Sequence, residues 1–280
     1  MRTGRTWLCT LLCVFSFLPS LAEAYDFAAG RVMDYLTRKP IEGAIVTGEN
    51  EIVCTDSDGK FLLRNATAKI GIRAYGYTRG EQKLPAPGTT APLNIYLRPF
   101  IPKALYLTYY GIGDRSLRES ALNLMKETEL NALVIDVKGD RGVITYKSSI
   151  PLVSEVGAQK QVIVKDIRGL LQSLKERGIY TIARIVVFKD NSLGTARPDL
   201  AVRTQDGRIW RDRENLVWVD PSKREVWDYN IQIAEEAARN GFDEIQFDYV
   251  RFPDRKGLAF AVPNTEENRV KNISGFLMEA

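Results

Sequence analysis

The sequence contains no histidine. That absence removes the Ser-His-Asp triad, the ordinary Cys-His pair and nearly all catalytic zinc sites in one step. Proton transfer by a side chain then falls to Asp, Glu, Tyr or Lys. Cysteine is scarce too, with 3 in 280 residues. Cys9 and Cys13 lie in an apolar N-terminal run, so a chain without that run keeps only Cys54. A lone cysteine closes no internal disulfide, and Cys54 is expected as a buried strand residue. No G-x-x-x-x-G-K-[ST] phosphate loop is present and no G-x-G-x-x-G opens a helix after a strand; Gly111-Ile-Gly113 is too short to count. Charge of one sign is lacking as well. The net charge is +4, from scattered Lys and Arg, which fits a solvated surface and no nucleic-acid partner. These absences weaken a redox or metal enzyme, and no cofactor or metal site is expected.

What is present begins with a leader. Arg2 and Arg5 precede the apolar run Leu8 to Leu18, which is too short to span a bilayer comfortably. Pro19 and Ser20 break the run, and Ala22-Glu23-Ala24 is a small-x-small cleavage site. Residues 1–24 read as a signal peptide, with a mature chain secreted or in the periplasm or cell envelope, and with no stable membrane insertion after cleavage. An uncleaved membrane anchor is the alternative. Over the whole sequence, hydrophobic residues at 45% and charged residues at 26% are an ordinary globular balance.

Residues 25–98 carry short strand-like runs: Gly30–Asp34, Lys39–Val46, Ile52–Thr55, Phe61–Leu63, Lys69–Ala74 and Leu93–Leu97. Turn signals at Asp56-Ser-Asp-Gly59, Gly76 and Pro85-Ala-Pro-Gly88 separate them, and no helical period appears. This predicts an all-β sandwich. Asp56 and Asp58 are read as turn formers in preference to calcium ligands, because a hard cation wants about six oxygens or more. Lys39-Pro-Ile-Glu-Gly-Ala44, Thr55-Asp-Ser-Asp-Gly-Lys-Phe61 and Ala74-Tyr-Gly-Tyr77 make this segment resemble the carboxypeptidase regulatory-like family, a transthyretin-type sandwich. That resemblance implies a non-catalytic accessory module. Prolines at 99 and 102 mark residues 99–103 as a stiff linker.

From 104 to 280 the pattern alternates. Apolar strands are expected at Ala104–Tyr109, Ala132–Val137, Tyr180–Val187 and Asp243–Asp248. Helices are expected after capping boxes at Ser116-x-x-Glu119 and Ser222-x-x-Glu225, around Ile167–Leu174, and from Thr265 on; Gly178 and Gly241 act as stops. Such alternation means parallel β/α units, either an open doubly wound sheet or a closed barrel. Polar and aromatic residues at the strand C-terminal ends favour the barrel. Leu130–Lys138, Gly142–Tyr146, Ala183–Phe188, Trp218-Val-Asp-Pro221 and Gln246–Pro253 resemble a glycoside hydrolase family of barrel proteins distantly related to the α-amylase type. The resemblance implies a (β/α)8-type barrel of which about four β/α units are present here, preceded by the all-β sandwich. On this reading the chain is expected to be the N-terminal half of the barrel.

Glycoside hydrolysis needs two carboxyl groups, one as acid and one as nucleophile or base. Asp248, ending the fourth strand, and Asp136, ending the second, are the catalytic candidates. Family analogy places a nucleophile at the end of strand four and the acid on strand five, so the acid is expected beyond residue 280. Arg251 lies three residues past Asp248 as a possible carboxylate partner. Lys138 lies two residues past Asp136, on the same side of an extended chain. Arg184, inside an apolar strand, must find an anion, and a network of Asp136, Arg184 and Asp248 is the natural guess. Tyr109, Phe188, Trp210 and Trp218 are candidate sugar platforms, each with packing as its alternative. Asp220, before Pro221, is a substrate-binding candidate whose alternative is helix entry. The function read from this set is an exported hydrolase acting on a polysaccharide or oligosaccharide. The alternative is a non-catalytic carbohydrate-binding or envelope protein.

Overall fold

The computed structural model of the protein describes residues 25–49, 51–66, 68–85 and 92–280. The leader at 1–24 and positions 86–88 of the expected turn lie outside them. Contacts divide the chain into two units, Met1–Ile101 and Pro102–Ala280. Within the expected linker, Phe100 donates its amide to the Gly76 carbonyl of the first unit, and Lys103 accepts the Asn131 amide of the second.

The first unit holds β1 (Tyr25–Asp34), β2 (Ile45–Thr47), β3 (Ile52–Cys54), β4 (Lys60–Ala66), β5 (Lys69–Arg73), β6 (Gly80–Lys83) and β7 (Leu93–Leu97). They form a three-stranded sheet, β4-β1-β7, and a four-stranded one, β3-β2-β5-β6. Period-2 alternation buries Ile70 and Ile72 between exposed Lys69 and Arg73. Those residues share one core with Val32, Val46, Leu63 and Ile95. Gly30 has a steric reason: a Cβ there would lie 2.4 Å from the Leu93 carbonyl on the parallel partner β7. Asp56 Oδ1 accepts the amides of Asp58 and Lys60 at 2.9 and 2.8 Å, which closes the turn around Gly59. One strand is not among those expected, and one expectation fails. β6, Gly-Glu-Gln-Lys, is too polar to read as a strand yet pairs with β5. Cys54 is in a strand but exposed, because Val53 takes the inward position of β3.

The second unit runs β8 (Ala104–Leu107), α1 (Tyr109–Gly113), α2 (Arg115–Glu127), β9 (Ala132–Lys138), α3 (Pro151–Glu155), α4 (Ile167–Glu176), β10 (Tyr180–Val186), α5 (Asn191–Ala196), β11 (Arg203–Thr204), α6 (Arg224–Asn240), β12 (Glu244–Asp248), β13 (Leu258–Ala259) and α7 (Glu266–Glu279). β8, β9, β10 and β12 form a parallel sheet in the order of the chain. One sheet face is apolar: Leu133, Ile135, Ala183 and Ile185 are buried in a core shared with α4 and α6. Burial of each large aliphatic there contributes about 1.5–3 kcal/mol. Gly241, at φ 113°, stops α6 where expected. Among the described residues no helix is long and apolar enough to cross a membrane.

Neither expected capping box caps its helix. Asp114 caps α2 by accepting the Leu117 amide, which leaves Ser116 inside the first turn. α6 starts after Lys223 with no side-chain cap, and Ser222 bonds Asp220 instead. Tyr109, read as a strand end, begins α1. The short helices α1, α3 and α5 have too few residues to show a period.

Candidate active site

The apolar core covers one face of the parallel sheet; chemistry gathers on the other. Register places Tyr106 beside Val134, and Asp136 beside Arg184 beside Gln246, so alternation puts Tyr106, Asp136, Arg184 and Asp248 on one face. Arg184 joins them. Its Nη1 donates to Asp136 Oδ1 at 2.7 Å, and its Nε and Nη2 donate to Asp248 Oδ2 at 2.8 and 2.7 Å. Tyr106 donates its hydroxyl to Asp136 Oδ2 at 2.7 Å, and the Tyr109 amide reaches the same oxygen at 3.3 Å. Burial works against the guanidinium charge, but the bonds to Asp136 and Asp248 outweigh it and raise the Arg184 pKa. Burial and the Asp136 bond together hold the Tyr106 hydroxyl protonated far above its ordinary range.

The two carboxylates differ. Asp136 is 4% exposed and both its oxygens are taken by donors. The Asp248 side chain is 42% exposed. Its Oδ1 accepts only the Tyr249 amide, at 2.6 Å, so it keeps acceptor capacity toward solvent. Tyr249 has φ 52°, a left-handed conformation that a bulky side chain rarely adopts. The turn sends its ring against Trp218, with centroids 5.6 Å apart.

Beyond that turn lies a cleft of about 510 Å³, lined by Lys189, Trp210, Asp212, Trp218, Tyr249 and Arg251 among others. A smaller hollow beside Asp248 shares Tyr249 and Arg251 with it. Lys189, 2% exposed, closes the floor with Glu214, Asp212 and Asp140 at 3.1, 3.3 and 3.4 Å. Asp212 also accepts the Trp218 indole N–H at 3.0 Å and the Glu214 and Leu216 amides. Burial opposes ionisation of Asp212, but these donors prevail and hold its pKa below the ordinary value. The pairing of β11 with β13 ties together the loops that follow β10 and β12.

Several sequence expectations need correction. Lys138 is not beside Asp136. Register shifts by one residue after the Asp136–Arg184 pair, so Lys138 pairs with Ile185 and turns to the helix-covered face. There its Nζ meets Asp190 Oδ2 at 2.6 Å, with both side chains 0% exposed, over the Tyr229 ring. Burial lowers the Lys138 pKa and Asp190 opposes that. Gly142, at φ 76°, leaves this aspartate room: a Cβ would fall 1.9 Å from Asp190 Oδ1. Arg251 makes no ion pair with Asp248; its guanidinium lies over Trp218 and Tyr249 at 5.5 and 5.6 Å. Tyr109 is buried, and its hydroxyl donates to the Gln161 carbonyl, so it offers no platform. Phe188 is fully buried. Asp220 is buried too, accepting Ser222 and, at 2.7 Å, the Ala261 amide. It holds a turn and the β13 loop. Trp218 and Trp210 line the cleft but are 4% and 8% exposed, so little of either ring is open to a sugar.

Sequence reasoning missed Tyr106, Lys189, Asp190 and Asp212. Lys189-Asp190 follows an apolar strand directly, which is the signal that would have found that pair. Nothing local marks Asp212.

A parallel β/α domain with a carboxylate–guanidinium network at its strand C-termini is the class of protein that this fold and site define. Residues 104–280 match the family described as "Putative glycosyl hydrolase domain". The chain belongs to that family. A crystal structure of a hypothetical protein from Ruminiclostridium thermocellum ATCC 27405 is 40% identical, with a TM-score of 0.57, over 62% of this chain and 90% of that one. An α-galactosidase from Thermus thermophilus, in complex with p-nitrophenyl α-D-galactopyranoside, is 16% identical with a TM-score of 0.44, over 85% of this chain and 46% of that one. A cycloalternan-degrading enzyme from Trueperella pyogenes is 12% identical with a TM-score of 0.41, over 90% of this chain and 45% of that one. The chain thus spans about half the length of each of these two enzymes. No curated protein matches the chain.

Proposed function

We propose that the chain is an exported glycoside hydrolase acting on a polysaccharide, with Asp248 as its working carboxylate. The observation that carries this reading is Asp248 itself: half-exposed at the C-terminal end of a parallel strand, oriented by Arg184, and next to an aromatic, charged cleft. A carboxylate with one free oxygen can attack a sugar's anomeric carbon or activate a water for the same attack. Asp136 serves instead as a positioning residue. Its oxygens are spent on Arg184, Tyr106 and the Tyr109 amide, which fix the guanidinium that in turn fixes Asp248.

The strand order β8-β9-β10-β12, consecutive and parallel, supports the barrel reading, since a doubly wound sheet reverses its order at a switch point. In a barrel the face bearing Arg184 is the interior. The two sheets and common core of the first unit support a transthyretin-type sandwich serving as an accessory module. The leader supports export. Incubating the protein with a panel of polysaccharides and assaying new reducing ends tests the proposal; activity on none of them counts against it.

A second reading, a glycan-binding domain without catalysis, draws on one observation. Asp136 and Asp248 share a single guanidinium, so no free carboxylate of this network faces Asp248 across an open gap. Polysaccharide binding without any reducing-end release would favour it.

A further inference from the structure

The cleft beside Asp248 has an uneven distribution of ion pairs. At its floor one ammonium, Lys189, is shared by three carboxylates, Asp212, Glu214 and Asp140. The arginines of its rim are unpaired. Arg213, Arg251 and Arg255 line the same cleft, all three are exposed, and among the described residues none of them has a carboxylate partner. Asp254 is the lining carboxylate outside the floor cluster; with Asp212 and Glu214 the lining has three carboxylates against Lys189 and the three arginines, an excess of one cation. Arg251 is the best organised of the three. Its guanidinium lies over the rings of both Trp218 and Tyr249, and the left-handed backbone at Tyr249 is what brings that second ring beneath it. A stacked guanidinium loses little freedom on binding, and its planar N–H fork fits a carboxylate with two parallel hydrogen bonds. Arg251 also lines the hollow next to Asp248, so an anion held there sits beside the candidate reaction centre.

We infer that the substrate is an acidic glycan, whose sugar rings carry carboxylate groups, and that Arg251 receives one such carboxylate in the subsite next to Asp248. This rests on the glycan-active reading above and adds the substrate class to it. Arg213 and Arg255 extend the same preference along the rim. A neutral sugar would leave the three rim guanidinium groups without an anion.

Affinity electrophoresis of the purified protein tests the inference. The gels contain uronate polymers (pectate, alginate, hyaluronate), the same polymers after reduction of their carboxyl groups to alcohols, and neutral xylan, mannan and starch. The expected result is retardation by at least one uronate polymer that disappears in its carboxyl-reduced form. Arg251→Ala should weaken that binding about tenfold, and Arg251→Lys should restore little of it, because a point charge lacks the fork. Arg177→Ala removes the same charge from the exposed end of α4, away from the cleft, and should change nothing. Equal losses in Arg251→Ala and Arg177→Ala would mean general attraction of a cationic protein to a polyanion and would overturn the inference. Equal binding to native and carboxyl-reduced polymers, or binding only to neutral ones, would also overturn it while leaving the glycan-active reading intact. Retardation by no polymer, acidic or neutral, would count against both. Thermal unfolding of each variant shows whether a lost interaction reflects lost folding.

Discussion

Two cations stand on adjacent strands of one sheet, Lys138 on β9 and Arg184 on β10, and they do opposite things. Lys138 meets a single aspartate in a dry interior, where both partners are 0% exposed. Arg184 meets two aspartates at the open face, one buried and one 42% exposed. The first pair has no access to any ligand, so its role is in stability and in holding the β10 exit. Asp190 also accepts the Leu193 amide at the start of α5. The second cluster leaves one carboxylate, Asp248, with acceptor capacity toward solvent. An ion pair alone says nothing about function; the unfilled acceptor next to a cleft does.

The difference is broken most sharply at the two aspartates. Asp248→Asn should lower glycan hydrolysis by on the order of 10⁴-fold, as losing a central reacting group does elsewhere, while the melting temperature stays nearly unchanged. Retained turnover would remove Asp248 from the mechanism. Lys138→Met should act the other way round. It strands a buried carboxylate and should cost about 3–5 kcal/mol of stability. Urea unfolding followed by tryptophan fluorescence reads this cleanly, because Trp210, Trp218 and Trp227 all lie in the second unit and residues 25–101 contain none. Pairing Lys138→Met with Asp190→Asn should recover part of the loss, since the two changes share one interaction. Additive losses would mean the pair is not coupled.

Arg184→Lys sharpens the comparison from within the open cluster. One ammonium cannot donate in the plane of both carboxylates as the guanidinium does. Hydrolysis should fall about 10–100-fold, with a stability loss of only about 1–2 kcal/mol because water reaches this face. A stability loss as large as that of Lys138→Met would make Arg184 structural.

Much of this was legible before folding. The alternation of apolar strands and helices, Gly241 as a stop, and the grouping of Asp136, Arg184 and Asp248 all follow from local pattern, because strand periodicity carries side chains to a face without knowledge of the rest. The failures share a cause. A one-residue shift in register, which no period shows, turns Lys138 away from the face that strand alternation assigns it. Sequence nearness suggests Arg251 as the partner of Asp248, whereas the backbone turn at Tyr249 carries it over the aromatic rings. Asp212 sits in a loop far from Lys189 in the chain, and only tertiary closure joins them. Ser116 and Ser222 satisfied a spacing rule while Asp114 and an uncapped Lys223 took the helix starts.

Lys189 lies between the two extremes and supplies the smallest and most specific test. It is itself buried, but its partners Asp212 and Glu214 reach the cleft. Asp212 has a pKa below its ordinary 3.8, so the folded state holds its proton less tightly than the unfolded state does. Its contribution to stability is therefore complete above about pH 4 and is lost as pH falls through the lower folded value. Asp199 and Asp206 in the same unit are also lowered, so the wild-type protein should weaken in acid whatever Asp212 does. The informative quantity is a difference. Asp212→Asn keeps an acceptor for the Trp218 indole but removes the titration, and its tryptophan-monitored unfolding midpoint should fall less steeply between pH 5 and pH 2 than that of the wild type. Parallel curves would mean that Asp212 binds its proton equally in the folded and unfolded states, so that neither the Trp218 and backbone N–H donors nor Lys189 favours its charge.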